Sequence, residues 1–495
     1  IIVGGNHATN ATSLLLENDN VDYVGRGECE ESFRQFIDNF DNLDNVNIPG
    51  IYSKKHVQNK VQMGISPYVM DLDELPFPDW ELIDMEAYST REESRARNNL
   101  DCGERRQTSI MTTRGCPFSC TFCASHTVNG RKIRFRSVEN VIQEIQTLHD
   151  RYKINLFIPE DDLFTANRRK VVPLLTEIKK FKQTIPGFEL QFPNALSVNT
   201  LFEDVMDALI NANMKVTNIA IESGSEYVQR NVINKRVNLS KAIEVVKYFR
   251  DRNITTRCYF IGGFPNETKE QMLETIDYAK KLKSDWCTFH IAAPLRGTEM
   301  YKQFVDMGYI KDEVSTWSTA FFQERSFDTP EISADGLKEL FYRANLEVNF
   351  LNNPNLLDGN YDKALWIYKD IVKSYPFHII GWYCIMLCYE AIGNINNRNN
   401  VLANIVDLIK TDLRARQLYK TYSDLLPKIA DVIGQPDKIT DDEFLNLDTS
   451  YLSDDALDDD FLSSQIKIKE KGVSGKDQGQ ESLPKRPRSS NQAQI

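Results

Sequence analysis

Thr112-Thr113-Arg114-Gly115-Cys116-Pro117-Phe118-Ser119-Cys120-Thr121-Phe122-Cys123 sets three of the chain's nine cysteines within eight residues, spaced C-x3-C-x2-C. The other six, Cys29, Cys102, Cys258, Cys287, Cys384 and Cys388, are scattered. That is not the pattern of a disulfide scaffold, which is a short secreted chain dense in cysteine. It predicts a reducing, cytoplasmic setting and one clustered metal site. Three thiolates this close can wrap a loop around an iron–sulfur cluster, with Gly115 and Pro117 supplying the bend. A [4Fe–4S] centre usually takes four cysteines, so three leave one iron open for a ligand. Zinc is the alternative the spacing leaves standing, with four ligands in total; Cys102 or His126 would then supply the fourth.

Outward from this segment, strand and helix patterns alternate from about Thr108 to Ile310. Strands are predicted at Ser109–Thr112, Leu156–Ile158, Glu189–Phe192, Val216–Ile221, Thr255–Ile261 and Thr288–Ala292. Helices are predicted between them at Val138–Arg151, Lys170–Lys182, Leu201–Ala212, Leu239–Arg252 and Lys269–Leu282. Six βα repeats predict an α/β fold, a parallel sheet curled into a partial (βα)6 TIM-like barrel. Its chemistry belongs at the carboxyl ends of the strands, and the cysteine segment follows the first of them. Cys258 and Cys287 fall in apolar strands and read as core. Arg134 and Arg136, alternating about Phe135, read as a solvated strand face.

The flanks differ in character. Residues 1–65 read as the last part of an alternating, doubly wound unit: Ile1-Ile2-Val3 ends at Gly4-Gly5, and Val21–Val24 ends at Gly25-Arg26-Gly27. A helix is predicted over Glu28–Phe40, with Phe33, Phe36, Ile37 and Phe40 on one face. The chain opens without Met, as if in the middle of a domain, and a truncated start is expected. Residues 66–105 form a proline-punctuated linker and 106–310 the barrel. Residues 311–435 are helical, and Gly359-Asn360 recurs as Gly393-Asn394. With Ala364, Tyr368, Pro376, Trp382 and Ala391 this fits a tetratricopeptide (TPR)-like pair; a plain helical cap is the other reading. Cys384 and Cys388 lie one helical turn apart and read as packing. Residues 436–495 have the composition of a disordered acidic and polar tail. With 59 Lys plus Arg against 71 Asp plus Glu, the net charge of −12 argues against a general nucleic-acid binder. No run of about 18 apolar residues predicts a membrane span.

With its aromatic Phe122, the C-x3-C-x2-C loop after a first barrel strand resembles that of the radical S-adenosylmethionine (SAM) superfamily. Further stretches resemble the branch of that superfamily that carries a cobalamin-binding domain. They are Gly4–Thr9 with Val21–Glu28, the linker Asp71–Pro78, Gly130–Ser137, Glu160–Thr165, Ile221–Ser225, Gly263–Thr268 and Gly297–Glu299. The resemblance covers most of residues 1–310, and its strength is the order of these motifs. It implies a [4Fe–4S] cluster on Cys116, Cys120 and Cys123, with SAM chelated at the open iron and cleaved reductively to a 5′-deoxyadenosyl radical. It implies SAM contacts from Phe122 at the adenine and from Asp161 and Asp162 at the methionyl amino group. Glu222 would lie near the ribose or methionyl end, and Gly262 and Gly263 beside the adenine. Gly4 and Gly5 would border cobalamin if it binds; the upstream Asp-x-His-x-x-Gly ligand signature is absent, and His7 belongs to the glycine turn.

The leading expectation is cobalamin-dependent methylation of an unactivated carbon in a small or lipid-like molecule. An electron donor such as flavodoxin or ferredoxin is implied, and the TPR-like region offers a surface for a protein partner. A radical SAM enzyme without cobalamin, and a non-catalytic iron–sulfur or zinc scaffold, are the alternatives. Cys29, Ala195, Ser197 and Arg296 depart from the branch's pattern and bear on substrate identity.

Overall fold

The computed structural model describes residues 1–90, 105–310 and 325–434. Cys102, the segment 311–324 and the predicted tail lie outside the described residues. The chain divides into two compact units, Ile1–Leu340 and a second that starts at Phe341.

In the first unit, three short strands open the chain: β1 (Ile2–Val3), β2 (Tyr23–Gly25) and β3 (Ile51–Ser53), in the order β1-β2-β3. The first pair is parallel and the second antiparallel. Ala8, Leu16, Val21, Val24 and Tyr52 form the core on one side. The helix predicted over Glu28–Phe40 runs Glu30–Asp38. Of its four predicted face residues only Phe36 is buried, in a small cluster with Ile48 and Ile51. Phe33, Ile37 and Phe40 are 45%, 54% and 62% exposed, because three short strands present too narrow a surface to cover them.

The next strands are β4 (Gln107–Ile110), β5 (Thr113–Arg114), β6 (Arg134–Phe135), β7 (Leu156–Pro159), β8 (Glu189–Leu190), β9 (Val216–Glu222), β10 (Thr255–Gly262) and β11 (Trp286–Ile291). Two parallel sheets have the orders β4-β7-β8 and β11-β10-β9. Parallel bridges Leu190↔Met214 and Leu196↔Ile219 join their neighbouring segments. Parallel strands need long crossovers, and helices supply them here. They are Val138–Tyr152, Arg168–Ile178 with Phe181–Thr184, Glu203–Asn211, Leu239–Arg250 and Lys269–Leu282. The last begins where predicted because Thr268 and Gln271 form a reciprocal capping box. β7 is buried along its whole length, as strands covered on both faces are. β10 and β11 alternate: Cys258, Phe260, Cys287, Phe289 and Ile291 are buried. Tyr259, Ile261, Thr288 and His290, on the other face, are half-exposed.

Two expectations need correction. The first strand ends at Ile110 rather than Thr112, because Thr112 and Thr113 turn out of the ladder to bond the Asp161 carboxylate. Arg134 is not a solvated strand residue; it is buried, and both terminal nitrogens of its guanidinium meet the two oxygens of buried Glu28. It also donates to the carbonyls of Val69 and Asn129 and lies under the Tyr68 ring. Arg136 pairs with Glu144 at 2.5 Å under Phe77, and Asp73 accepts from the Ser137 amide. The linker is therefore fastened to β6 and the helix start beyond it.

In the second unit, helices Tyr361–Ser374, Ile379–Ala391 and Ile395–Thr411 pack consecutively. Gly359 and Gly393 precede the first and third with φ +83° and +77°, the left-handed turns that glycine favours. Cys384 and Cys388 are buried on the middle helix, where Trp382 Nε1 donates to the Pro376 carbonyl. No helix among the described residues is long and apolar enough to cross a membrane.

Replacing Glu28 by Ala leaves Arg134 buried without its counter-charge. Such a loss costs about 3–5 kcal/mol, and we expect a matching fall in unfolding free energy by denaturant titration. An unchanged midpoint would contradict the buried pair.

Candidate active site

The three cysteines sit on a loop that the fold closes at its base. β5 and β6 pair antiparallel, Thr113 with Phe135 and Arg114 with Arg134, so residues 115–133 leave and return at one point. Inside, the Cys116 amide donates to the Gly130 carbonyl, and the Thr121 amide and hydroxyl donate to the Ile233 and Val232 carbonyls. Gly115 has φ +96°, and a Cβ there would come within 2.5 Å of the Lys132 carbonyl oxygen, so no other residue fits. All three thiols are free and half-buried. Burial pushes the Cys116 thiol up, and the Cys120 thiol to about 12, while the charge on Lys235 pulls both down. Among the described residues no three His, Cys, Asp or Glu side chains converge as a single ion would need. Three thiol donors on one closed loop are the donor type that iron–sulfur clusters take.

The end of β7 grips this loop. Asp161 is buried and accepts from the Thr112 amide (2.6 Å), the Thr112 hydroxyl (2.6 Å) and the Thr113 amide (2.7 Å). Burial raises its pKa to about 6 despite these bonds. Asp162 Oδ2 accepts from the Gly115 amide (3.1 Å) and Asn129 Nδ2 (2.9 Å), bridging the two ends of the loop. Both carboxylates assigned to SAM from the sequence thus hold the cysteine loop itself.

Glu222 closes β9 with φ +72°, beside the register shift where β10 pairs with it. Its carboxylate meets Lys235 Nζ at 2.5 Å in a largely buried pair. Lys235 also lies 6.0 Å from the Phe122 ring centroid. Sequence reasoning passed over Lys235, whose place depends on an irregular turn after β9. Phe122 faces Phe264 at 5.8 Å and joins an apolar cluster with Val228, Ile233, Met300 and Phe304.

Gly262 ends β10 and Gly263 follows at φ +79°, where a Cβ would lie 2.5 Å from Leu337 Cδ2. Buried Glu267 Oε2 accepts from the Gly263 and Phe264 amides at 2.7 and 3.0 Å. Arg325 donates to the Gly263 carbonyl at 3.2 Å. Glu267 Oε1 is buried with no partner among the described residues, and burial lifts the carboxyl pKa to about 8.

At the N-terminal turn, Gly5 has φ +94° and open space where a Cβ would project. Thr9 ties this turn to the next, accepting from the Gly27 amide while donating to the Gly5 carbonyl. Asn10 donates to Thr127, on the helix just after Cys123, and a Cβ at Gly297 would strike Asn10 Oδ1. Gly4 and Gly5 therefore lead into a short helix, Asn6–Asn10, whose Asn10 touches both the cysteine loop and the turn after β11.

Residues 110–279 match the radical SAM superfamily. The chain is 31% identical over 305 residues to an uncharacterized methyltransferase of Pyrococcus horikoshii, covering 61% of this chain and 62% of that protein. It is 27% identical to the cytidylyl-2-hydroxyethylphosphonate methyltransferase of Streptomyces wedmorensis, covering 65% and 64%. The chain thus spans less than two thirds of these relatives' length. Its fold is similar to that of OxsB, a cobalamin-dependent SAM radical enzyme solved with aqua-cobalamin and SAM, with TM-score 0.50 and 14% identity, covering 96% of this chain and 69% of that one.

Glu267 gives the site a pH signature. Its folded pKa, about 8, lies above the unfolded 4.5, so the fold favours the protonated carboxyl. The stability it contributes is full below pH 4.5 and is lost as pH rises through 8. Glu267→Gln should keep an acceptor for the two amides and flatten the fall in melting temperature between about pH 5 and 9. Equal slopes in both proteins would refute the assignment.

Proposed function

The chain carries, at residues 110–279, a domain of the radical SAM superfamily, and from that premise we propose a cobalamin-dependent methyltransferase acting on an unactivated carbon of a small or lipid-like molecule. The observation that carries the reading is the cysteine loop: three half-buried thiols on a closed loop after the first of six parallel strands, facing a buried Lys235–Glu222 pair. Methyl transfer follows the names of the two relatives above; cobalamin follows the motifs about Gly4 and Gly5.

In this reading Cys116, Cys120 and Cys123 hold a [4Fe–4S] cluster with one iron open to SAM. Bound there, the cluster supplies the electron for reductive cleavage of SAM to a 5′-deoxyadenosyl radical, chemistry that belongs to the cofactor. The chain's own residues position and enclose. Lys235 offers a desolvated cation to the methionyl carboxylate, and Glu222 a carboxylate to the ammonium or ribose side. Asp161 and Asp162 act through the loop they hold, Asp161 having both oxygens already engaged. The Phe122 main chain and the Gly262-Gly263 bend border the adenine. Tyr259, Ile261, Thr288 and His290 face the substrate from the half-exposed side of β10 and β11.

The six parallel strands read as a partial TIM-like barrel. The three-stranded opening reads as part of a Rossmann-like cobalamin domain, with Gly4 and Gly5 at its ligand edge, where strand-to-helix turns take ligands. The consecutive helices of the second unit read as TPR-like and available to a protein partner. A cytoplasmic setting and a flavodoxin or ferredoxin donor complete the proposal.

Anaerobic reconstitution should give a brown protein with about four irons, the content of one cubane, and Cys120→Ala should abolish it. With SAM and dithionite the native chain should release 5′-deoxyadenosine. Zinc in place of iron, or an intact cluster that yields none, would overturn the radical reading. Lys235→Met should retain iron but weaken SAM binding about 10- to 100-fold, the loss expected for one charge-assisted hydrogen bond.

A further inference from the structure

The chain is acidic, yet the segments that frame the cysteine loop are not. From Arg114 to Ser137 there are five basic residues, Arg114, Arg131, Lys132, Arg134 and Arg136, and no Asp or Glu. From Tyr227 to Ile243 there are four, Arg230, Lys235, Arg236 and Lys241, again with no acid. In a chain of net charge −12, two acid-free stretches 90 residues apart would be unremarkable if they lay apart in space. The fold joins them: the Thr121 amide and hydroxyl bond the Ile233 and Val232 carbonyls, and Asn234 Nδ2 donates to the Ser119 carbonyl.

The side chains then sort into two sets. Arg114, Arg134, Arg136 and Lys235 turn inward to Glu30, Glu28, Glu144 and Glu222. Arg131, Lys132, Arg230 and Arg236 stay exposed, as do Pro117 and Ser119 on the loop, and Arg236 donates to Asn234, which itself bonds Ser119. Arg131 donates to the Phe118 carbonyl at 2.7 Å and to the Ser119 hydroxyl at 3.2 Å, which puts its charge on the loop between Cys116 and Cys120. The exposed acids on the elements that touch the loop are Glu226, 3.4 Å from Arg230, and Glu299 and Asp306 on one helix, which also carries exposed Lys302. Five exposed cations, Arg131, Lys132, Arg230, Arg236 and Lys302, against these three acids leave the local balance positive.

We propose that this rim, Arg131, Lys132, Arg230 and Arg236 around Pro117–Ser119, is the docking surface for an acidic one-electron carrier protein. The inference rests on the reading of the loop as a redox cluster site. The loop's outer face is the short route to the cysteines, because its inner face carries Lys235, Glu222 and the apolar cluster about Phe122. A carrier with a negative rim is drawn to a positive patch on a molecule that otherwise repels it, so the chain's overall charge sharpens the choice of face. Complementary charge of this kind acts mainly on encounter rate, with steep dependence on salt. The patch positions the carrier; the electron itself passes from reduced carrier to cluster, leaving the carrier oxidised by one electron.

The test uses the full chain, reconstituted anaerobically, and follows 5′-deoxyadenosine formation with two reductants: flavodoxin hydroquinone and dithionite. Lys132→Glu, Arg230→Glu and Arg236→Gln are combined, leaving Arg131 to hold the loop. The flavodoxin-driven rate should fall at least about 10-fold, with the dithionite-driven rate and iron content unchanged. In the native chain, raising salt from about 50 to 300 mM should slow the flavodoxin reaction alone, since the Debye length contracts over that range. A flavodoxin rate indifferent to both salt and substitution overturns the surface. If the variant loses iron, the native salt series decides. Patch-dependent binding of a short RNA with no change in the flavodoxin rate also overturns it, in favour of a nucleic-acid surface. Absence of product from the native chain with dithionite sinks the radical SAM reading itself, a separate outcome.

Discussion

The Asp161 carboxylate is the bond on which the site depends. It takes the Thr112 amide and hydroxyl and the Thr113 amide at 2.6–2.7 Å, which ends β4 and starts the cysteine loop at a fixed place. Asp162, one residue on, fixes Gly115 and Asn129 and so both ends of the loop. Two adjacent side chains at the end of β7 thereby set where β4 stops, where the loop leaves and where it returns. A loop whose cysteine-bearing stretch has no regular structure, and which holds only the short helix Ser125–Asn129, is given the rigidity of a sheet edge, as a preorganised site needs.

A second set of charges extends that rigidity to the beginning of the chain. Glu28 meets Arg134 in a two-point buried pair and lies 3.4 Å from Arg114. Arg134 is paired with Arg114 across the base of the loop. The turn after β2, the linker at Tyr68 and Val69, and the cysteine loop therefore share one ionic junction. Buried pairs add little net stability compared with apolar packing, but they specify a single arrangement, because each misaligned alternative leaves a charge without a partner.

How much of this was legible follows the range of the interactions. The cysteine spacing and the alternation of strands and helices are local, and Lys269–Leu282 even begins where its capping box says. Arg134 and Arg136 were misread because alternation looks the same in a solvated strand and in one whose partner is elsewhere; Glu28 is 106 residues away. Asp161 was legible as a site residue but not in its role, since its donors lie 48 and 49 residues upstream. Lys235 could not be found by period at all, for a left-handed residue at Glu222 and an irregular helical turn at Val228–Val232 separate it from its partner. The apolar face of Glu30–Asp38 was correct as a pattern and wrong as burial, because a pattern does not say how wide the surface beneath it is.

Under the proposed redox reading, Glu267 bears on electron transfer. Adding an electron to a half-buried site is opposed by every fixed negative charge nearby, and low dielectric magnifies the opposition. Near neutral pH the proton on Glu267 removes one such charge from beneath the Gly263-Phe264 bend, while its other oxygen still holds two amides in place. Lys235 cancels Glu222 in the same region. The wall facing Phe122 thus holds its shape by carboxyl groups while carrying little of their charge, and under the proposed reading it would add little to the field that an incoming electron meets.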